Sequence, residues 1–266
     1  MNKIHPLATV SPDAKLGDDI EIGPYAFIDA NVEIGNGCKI LPHAVIFSYV
    51  KMGCDCTVFP GAVVGAVPQD LKYEGEVTWV EIGDRVTIRE CATINRGTKA
   101  SGKYVTRVGD DTLVMSYVHI AHDCRIGKHC ILVSQVALAG ETEVDDWAIL
   151  GGGTLAHQFS RIGTHSMVGA GFKIVKDIPP YILSGRDPVC FEGGNRVGLA
   201  RRGFSDEKIN EIKDIYDTLY FKGMNVSDAL AHIEQNFPRT EERDTILSFI
   251  RGSKRGIISR LKEPRK

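Results

Sequence analysis

Residues 22–52 read IGPYAFIDANVEIGNGCKILPHAVIFSYVKM, and the aliphatic residues fall every six: Ile22, Ile28, Ile34, Ile40, Ile46 and Met52. The phase extends back to Ile4 and on to Val64 without a failure. It returns at Ile82, Ile88 and Ile94, and again from Val108 to Ile174. A helix spaces its apolar residues three and four apart and a half-buried strand two apart, so a period of six is neither alone. It fits one short strand and one corner per repeat, with three repeats closing one triangular coil. Two places before the aliphatic stands a small or β-branched residue, as at Ala26, Val32, Cys38, Ala44 and Val50. Just after it there is often a glycine, as at Gly23, Gly35, Gly53, Gly83 and Gly127. The aliphatics are expected to fill the prism, the small residues to fit beside them, and the glycines to permit bent corners. The pattern predicts an all-β solenoid, a parallel β-helix of hexapeptide repeats.

The breaks in phase divide the chain. The stretches between Val64 and Ile82 and between Ile94 and Val108 lack the pattern and read as loops projecting from the coil, near residues 66–80 and 96–107. Solenoids tend to place function on such loops, and Asp70, Lys72 and Lys103 put charge there. The solenoid is expected over 1–178, and a Pro- and Gly-rich linker or wrapping segment over 179–204. A small C-terminal α-helical domain is expected over 205–266. Ser205 is its first N-cap, Ile209, Ile212, Ile215 and Leu219 share one face, and Gly223 ends the helix. Further helices fit 227–236 and the stretch near 241–250, and the last residues form a basic tail.

The chain has 266 residues, 32 Lys+Arg against 34 Asp+Glu, and 43% hydrophobic residues, the balance of a folded globular protein. A net charge of −2 argues against a nucleic-acid partner. No apolar run is long enough for a membrane span and the N-terminus lacks a signal-peptide stretch, so the expected location is cytoplasmic. Seven cysteines, an odd number, fit reduced thiols better than a disulfide framework.

His119, His122 and His157 cluster in one register. Residues three repeats apart stack about one strand spacing, ~4.8 Å, from one another. That sets His122 beside Gly140, and Gly140 beside Gln158. His122 lies two places after Ile120, off the inward positions, and Asp123 follows it. A carboxylate orients an imidazole and stabilises its charged form, so base, orienting acid and a glycine amide make an acyl-transfer site. The competing reading is an outward histidine that is merely solvated. The three histidines are also a possible zinc set, as in a metal-dependent lyase, but His119 and His122 differ by three along one edge. Cys38, Cys56, Cys124 and Cys130 occupy the small inward position and read as packing, so no metal is expected.

AVPQDLKYEGE, IRECATINRGT, HIAHDCRIG, LAHQF, DIPPY and RVGLARRGFS occur in this order. Together they resemble the UDP-N-acetylglucosamine O-acyltransferases of lipid A biosynthesis, over nearly the whole chain. The resemblance implies a cytoplasmic homotrimer of left-handed β-helices, a hand that periodicity does not reveal. It implies transfer of an R-3-hydroxyacyl chain from acyl carrier protein to the 3-hydroxyl of UDP-N-acetylglucosamine, with no cofactor. By motif match His122 would be the general base, Asp123 its orienting acid, and the Gly140 amide the oxyanion donor. Gln69, Asp70 and Lys72 would contact the sugar nucleotide, and His119, His157 and Gln158 would complete the cleft. Asn195, Arg201 and Arg202 would approach from the C-terminal side, toward the nucleotide phosphates or the carrier protein. Gly169, Ala170 and Gly171 would bound the acyl chain, and their small size implies 14 carbons or more. The chain departs from the family at Glu141, where His is frequent, and at Val197, where Glu is frequent. Arg196 or another nearby cation is expected to offset Glu141. Related glucosamine N-acyltransferases, acetyl-CoA-dependent acetyltransferases, zinc lyases and non-catalytic solenoids are the competing classes.

Overall fold

A computed structural model describes residues 1–261 of the chain; the remainder of the basic tail lies outside the described residues. The six-residue period becomes two-residue strands separated by corners, and each coil contributes one strand to each of three sheets. Sheet A has eleven strands beginning with Lys3–Ile4, sheet B nine beginning with Thr9–Val10, and sheet C eight beginning with Lys15–Leu16. The pairing is parallel along the coil axis, with Glu21 opposite Lys39 and Ile22 opposite Ile40, three repeats on. The second residue of each strand points inward: Ile28, Ile40, Ile46, Val58, Leu132 and Leu150 are fully buried. Cys38, Cys56, Cys124 and Cys130 are buried at the small inward position. Burial pushes the Cys124 and Cys130 thiols up to about 12. The coil is a left-handed parallel β-helix.

The glycines after the aliphatics serve the coil differently from the expectation. Gly35 does not have a positive φ. A Cβ on it would lie 2.7 Å from the Gly53 carbonyl of the next coil. These glycines let successive coils approach closely. The left-handed corner conformation falls elsewhere in the repeat, where Tyr25, His43 and Asp123 adopt φ near +60° without being glycine.

Both projecting loops leave sheet B and re-enter at sheet C. One joins Val63–Ala66 to Trp79–Ile82, the other Thr93–Asn95 to Val105–Val108. Across the first loop Ile82 pairs with Met52, and across the second Val108 pairs with Ile82, so each coil closes in register despite its longer contour. The excursion from Val64 to Ile82 therefore spans a single corner, although its length mimics three repeats.

The segment 179–204, expected as a linker or wrapping segment, contains an antiparallel hairpin, Ile182–Gly185 with Cys190–Gly194, which caps sheet A. It also contains helix α1, Arg196–Arg201. Helices α2 (Asp206–Phe221), α3 (Val226–Asn236) and α4 (Glu241–Arg251) follow. Their N-caps Ser205, Asn225 and Thr240 accept from Lys208, Asp228 and Arg243 N–H groups. Tyr216 of α2 donates to the Pro180 carbonyl (2.6 Å), and Phe191 stacks on Tyr216 and Tyr220, which ties the helices to the end of the coil.

Candidate active site

His122 lies in the corner after Ile120, on the B–C edge that carries both loops. Its Nδ1 lies 2.8 Å from Asp123 Oδ2. Asp123 is 1% exposed and carries three further bonds. Thr98 donates to it twice, from N (2.9 Å) and from Oγ1 (2.6 Å), and the Asp123 N–H donates to Thr106 Oγ1 (2.8 Å). Burial alone would raise the Asp123 carboxyl, but the bonds from His122 and Thr98 outweigh it and hold the group below its ordinary value. The ionised carboxylate in turn raises His122. The bond from Asp123 is the largest cause, burial opposes it, and the charges of Asp123, Asp70 and Glu141 add to the rise. With Nδ1–H donating to Asp123, the lone pair of neutral His122 sits on Nε2.

The Nε2 side is open. Asp70, brought by the first loop, approaches it to 3.9 Å, beyond hydrogen-bonding distance. One coil on, a Cβ at position 140 would fall 2.5 Å from Cε1 and Nε2 of the ring, so only glycine leaves the imidazole its place. The Gly140 N–H makes no backbone hydrogen bond among the described residues. His119 points outward from sheet B and is hydrogen-bonded to the Thr93 hydroxyl (2.7 Å). Burial, with help from the nearby His122, holds it below the ordinary imidazole value.

His122, Asp123, Gly140, Asp70 and His119 thus converge within one chain. Gln69 and Lys72 stand exposed on the same loop, and the Lys72 N–H donates to Asp70 (3.0 Å). His157 and Gln158 lie two coils beyond His122 on the same edge; the Gln158 carbonyl accepts from Arg255 (3.1 Å). Among the described residues, no three His, Cys, Asp or Glu side chains are grouped to hold a metal.

Other candidates lie on different edges. Asn195 is buried, and its side chain caps α1 through Gly198 N (3.2 Å) and donates to the His165 carbonyl (2.9 Å), so it is spent on the fold. Arg202 is on the C–A edge, where it bonds His165 Nδ1 (3.2 Å) and covers Trp147 at 5.2 Å. Arg201 sits in the last turn of α1. Gly169, Ala170 and Gly171 form the third edge, between sheets A and B. The cation beside Glu141 is Lys103, 4.0 Å away on the second loop, whereas Arg196 pairs with Asp206 (3.0 Å). Val197 is exposed on α1. Thr93 and Thr98 lie within the IRECATINRGT stretch and Thr106 outside every motif, but nothing in the sequence signals that their hydroxyls meet His119 and Asp123.

The bacterial transferase hexapeptide family matches residues 13–48 and 106–140, and domain 2 of the UDP N-acetylglucosamine O-acyltransferase family matches residues 177–258. The coil and its repeats are those of a hexapeptide-repeat acyltransferase. An acyl-[acyl-carrier-protein]–UDP-N-acetylglucosamine O-acyltransferase of Thiobacillus denitrificans is 48% identical over 258 residues, covering 97% of this chain and all of that protein. The crystal structure of the UDP-N-acetylglucosamine acyltransferase of Bacteroides fragilis superposes with a TM-score of 0.93 at 47% identity, covering 96% of this chain and 99% of that one. The Arabidopsis enzyme superposes at 0.85 and 31% identity, covering 96% and 100%. The chain belongs to the acyl-[acyl-carrier-protein]–UDP-N-acetylglucosamine O-acyltransferase family.

Proposed function

We propose that the chain transfers an R-3-hydroxyacyl group from acyl carrier protein to the 3-hydroxyl of UDP-N-acetylglucosamine, the first step of lipid A biosynthesis, without metal or cofactor. The observation that carries this reading is an imidazole locked at Nδ1 by a buried carboxylate, with Nε2 left unbonded against Gly140. Nε2 takes the proton of the sugar hydroxyl as its oxygen attacks the thioester carbon. The Gly140 N–H receives the developing oxyanion. The carbon–sulfur bond then breaks, and the imidazolium returns the proton to the departing thiolate. Asp123 keeps the tautomer and stabilises the positive charge through the step. Asp70, Gln69 and Lys72 would meet the acceptor from the loop.

The outer faces of the coil support a homotrimer. Sheet C is a ladder of charges in which Lys15 meets Glu33 (3.0 Å) and Arg107 meets Glu81 (2.7 Å). Beyond its polar first strands, with Lys3, Glu21, Lys39, Thr57 and Thr87 outward, sheet A presents Leu113, Ile131, Ile149 and Met167 in succession, and sheet B presents Phe27, Val45, Val63, Ala137 and Leu155 on either side of Thr93 and His119. Two apolar faces that meet at one edge are satisfied when face A of each chain covers face B of the next around a threefold axis. That closure puts the A–B edge at the axis. It sets the B–C edge of one chain, with His122, against the C–A edge of its neighbour, with Arg202. Groups that are apart in one chain then share a cleft: Arg201 and Arg202 reach toward the nucleotide phosphates or the carrier protein, and residues 169–171 close the inner end of an acyl groove. No helix among the described residues is long and apolar enough to cross a membrane. The compartment that goes with this reading is the cytoplasm.

The test is an incubation with UDP-N-acetylglucosamine and 3-hydroxyacyl carrier protein, with the product read by mass spectrometry. An O-acylated sugar nucleotide is expected. An N-acylated product, or acylation only from acetyl-CoA, would overturn the reading.

A further inference from the structure

The second projecting loop has no assigned part in the reaction, yet it holds the acid of the dyad. Asp123 is buried beside His122. Thr98 meets both of its oxygens: the backbone N–H bonds Oδ1 and the hydroxyl bonds Oδ2, the same oxygen that receives the imidazole. Two donors from one residue fix both the position and the plane of the carboxylate. The plane of the imidazole follows, because its Nδ1–H must point at Oδ2. Thr98 is itself 1% exposed, and the Ser101 N–H and hydroxyl fold back onto its Oγ1 and carbonyl.

The same loop anchors the first. Lys99 N–H donates to Glu76 (2.9 Å), the Arg96 guanidinium donates to the Tyr73 hydroxyl (3.0 Å), and Asn95 donates to the Val67 carbonyl (2.7 Å). Asp70 lies on the stretch of chain between these anchors, facing Nε2. One short loop thus sets the acid behind the imidazole and steadies the loop in front of it.

We propose that Thr98 is a positioning residue of acyl transfer: its paired donors orient Asp123 so that His122 presents Nε2 to the acceptor hydroxyl. The role rests on the acyl-transfer reading above. It acts on the reacting geometry and not on substrate affinity, so its loss lowers kcat and leaves both KM values in place. A displacement of reacting groups of about 1 Å costs up to ~100-fold in rate.

The test compares Thr98→Val, which keeps the volume and loses the hydroxyl, with Thr98→Ser, which keeps the hydroxyl. Thr98→Val is expected to lower kcat ~10- to 100-fold with KM for UDP-N-acetylglucosamine and for the acyl donor unchanged, and Thr98→Ser to restore turnover. Wild-type kcat in Thr98→Val, a rise in KM that accounts for the loss, or a Thr98→Ser variant as slow as Thr98→Val would each overturn the role. A second arm places Thr98→Val on Asp123→Asn, which removes the charge that needs the donor and so protects folding. No further loss of kcat relative to Asp123→Asn alone is expected, since Thr98 acts through Asp123. A full additional loss would overturn the proposal. A wild-type chain that makes no O-acyl product fails the acyl-transfer reading itself and takes this role with it, an outcome distinct from an active wild type with an indifferent Thr98.

Discussion

Along the edge that joins sheet C to sheet A, His129, Trp147 and His165 stand one above another on successive coils, with ring centroids 4.0 and 5.9 Å apart; Tyr181 continues the stack at 5.6 Å. The edge that joins sheet B to sheet C passes through the same coils but breaks its repeat twice, and it holds His122, Asp123, Asp70, Thr98 and Lys103. The first edge keeps the period and gains packing: burial and the Arg202 charge push His165 down to about 4, a neutral ring within a stack. The second gives up regular stacking and gains polar groups from distant parts of the chain. A solenoid coil has no closed pocket of its own, so chemistry gathers where the repeat is interrupted.

The largest break in this contrast is expected from His122→Ala, which should keep the fold and lose ~10²–10⁴-fold in turnover, read by steady-state kinetics. A wild-type rate in His122→Ala would remove it as the base. Gly140→Ala comes next. Its Cβ, 2.5 Å from the imidazole, displaces the ring, and kcat should fall ~100-fold. Gly35→Ala makes a similarly close contact, but with the Gly53 backbone. It should cost ~1–3 kcal/mol in denaturant unfolding with unchanged kcat per folded molecule. Equal kinetic loss in both variants would mean that Gly140 matters only for packing.

A smaller effect is expected on the third edge. Ala170→Met should shift the donor preference toward shorter chains, at about 0.8 kcal/mol or roughly fourfold per methylene, with UDP-N-acetylglucosamine binding intact. Wild type should prefer 14 carbons or more, and an unchanged chain-length profile in the variant would place the limit elsewhere. The smallest effect is on pH. His122 must be neutral to accept a proton, and its raised value puts the acidic limb of kcat/KM above 6.5. Asp123→Asn removes the negative charge that the His122 Nδ1–H meets and should move the limb down; Glu141→Gln should move it down less, because Glu141 acts only through space. A limb that ignores Asp123→Asn would belong to another group.

The coil is legible in the sequence because each inward position is one aliphatic residue repeated at a fixed step, and no tertiary contact alters that step. The dyad is legible because His122 and Asp123 are neighbours, and Gly140 because it lies one coil away. The stretch between Val64 and Ile82 is legible as a loop because it lacks the pattern, but its length, a multiple of the repeat, hides that it replaces a single corner. Thr98 is hidden by the same loops: it reaches Asp123 across a sequence separation of 25, which no repeat encodes. The hairpin of 182–194 has no alternation to read, because its strands cap a solenoid end instead of lying half-exposed on a sheet. Asn195 has the residue type of a ligand contact, and only the structure shows its side chain committed to a helix cap.

The two apolar faces carry a consequence for behaviour in dilute solution. In the proposed trimer, with His122 on one chain and Arg202 on the next, no site survives dissociation, so specific activity should fall on dilution and recover on concentration by mass action. Chains of two different defects should also rescue one another. When His122→Ala and Arg202→Ala chains are unfolded together and reassembled in equal amounts, about a quarter of the clefts draw both residues from unmutated positions, because each cleft samples two chains independently. Activity reappearing from two inactive preparations would be genetic complementation within a single polypeptide species.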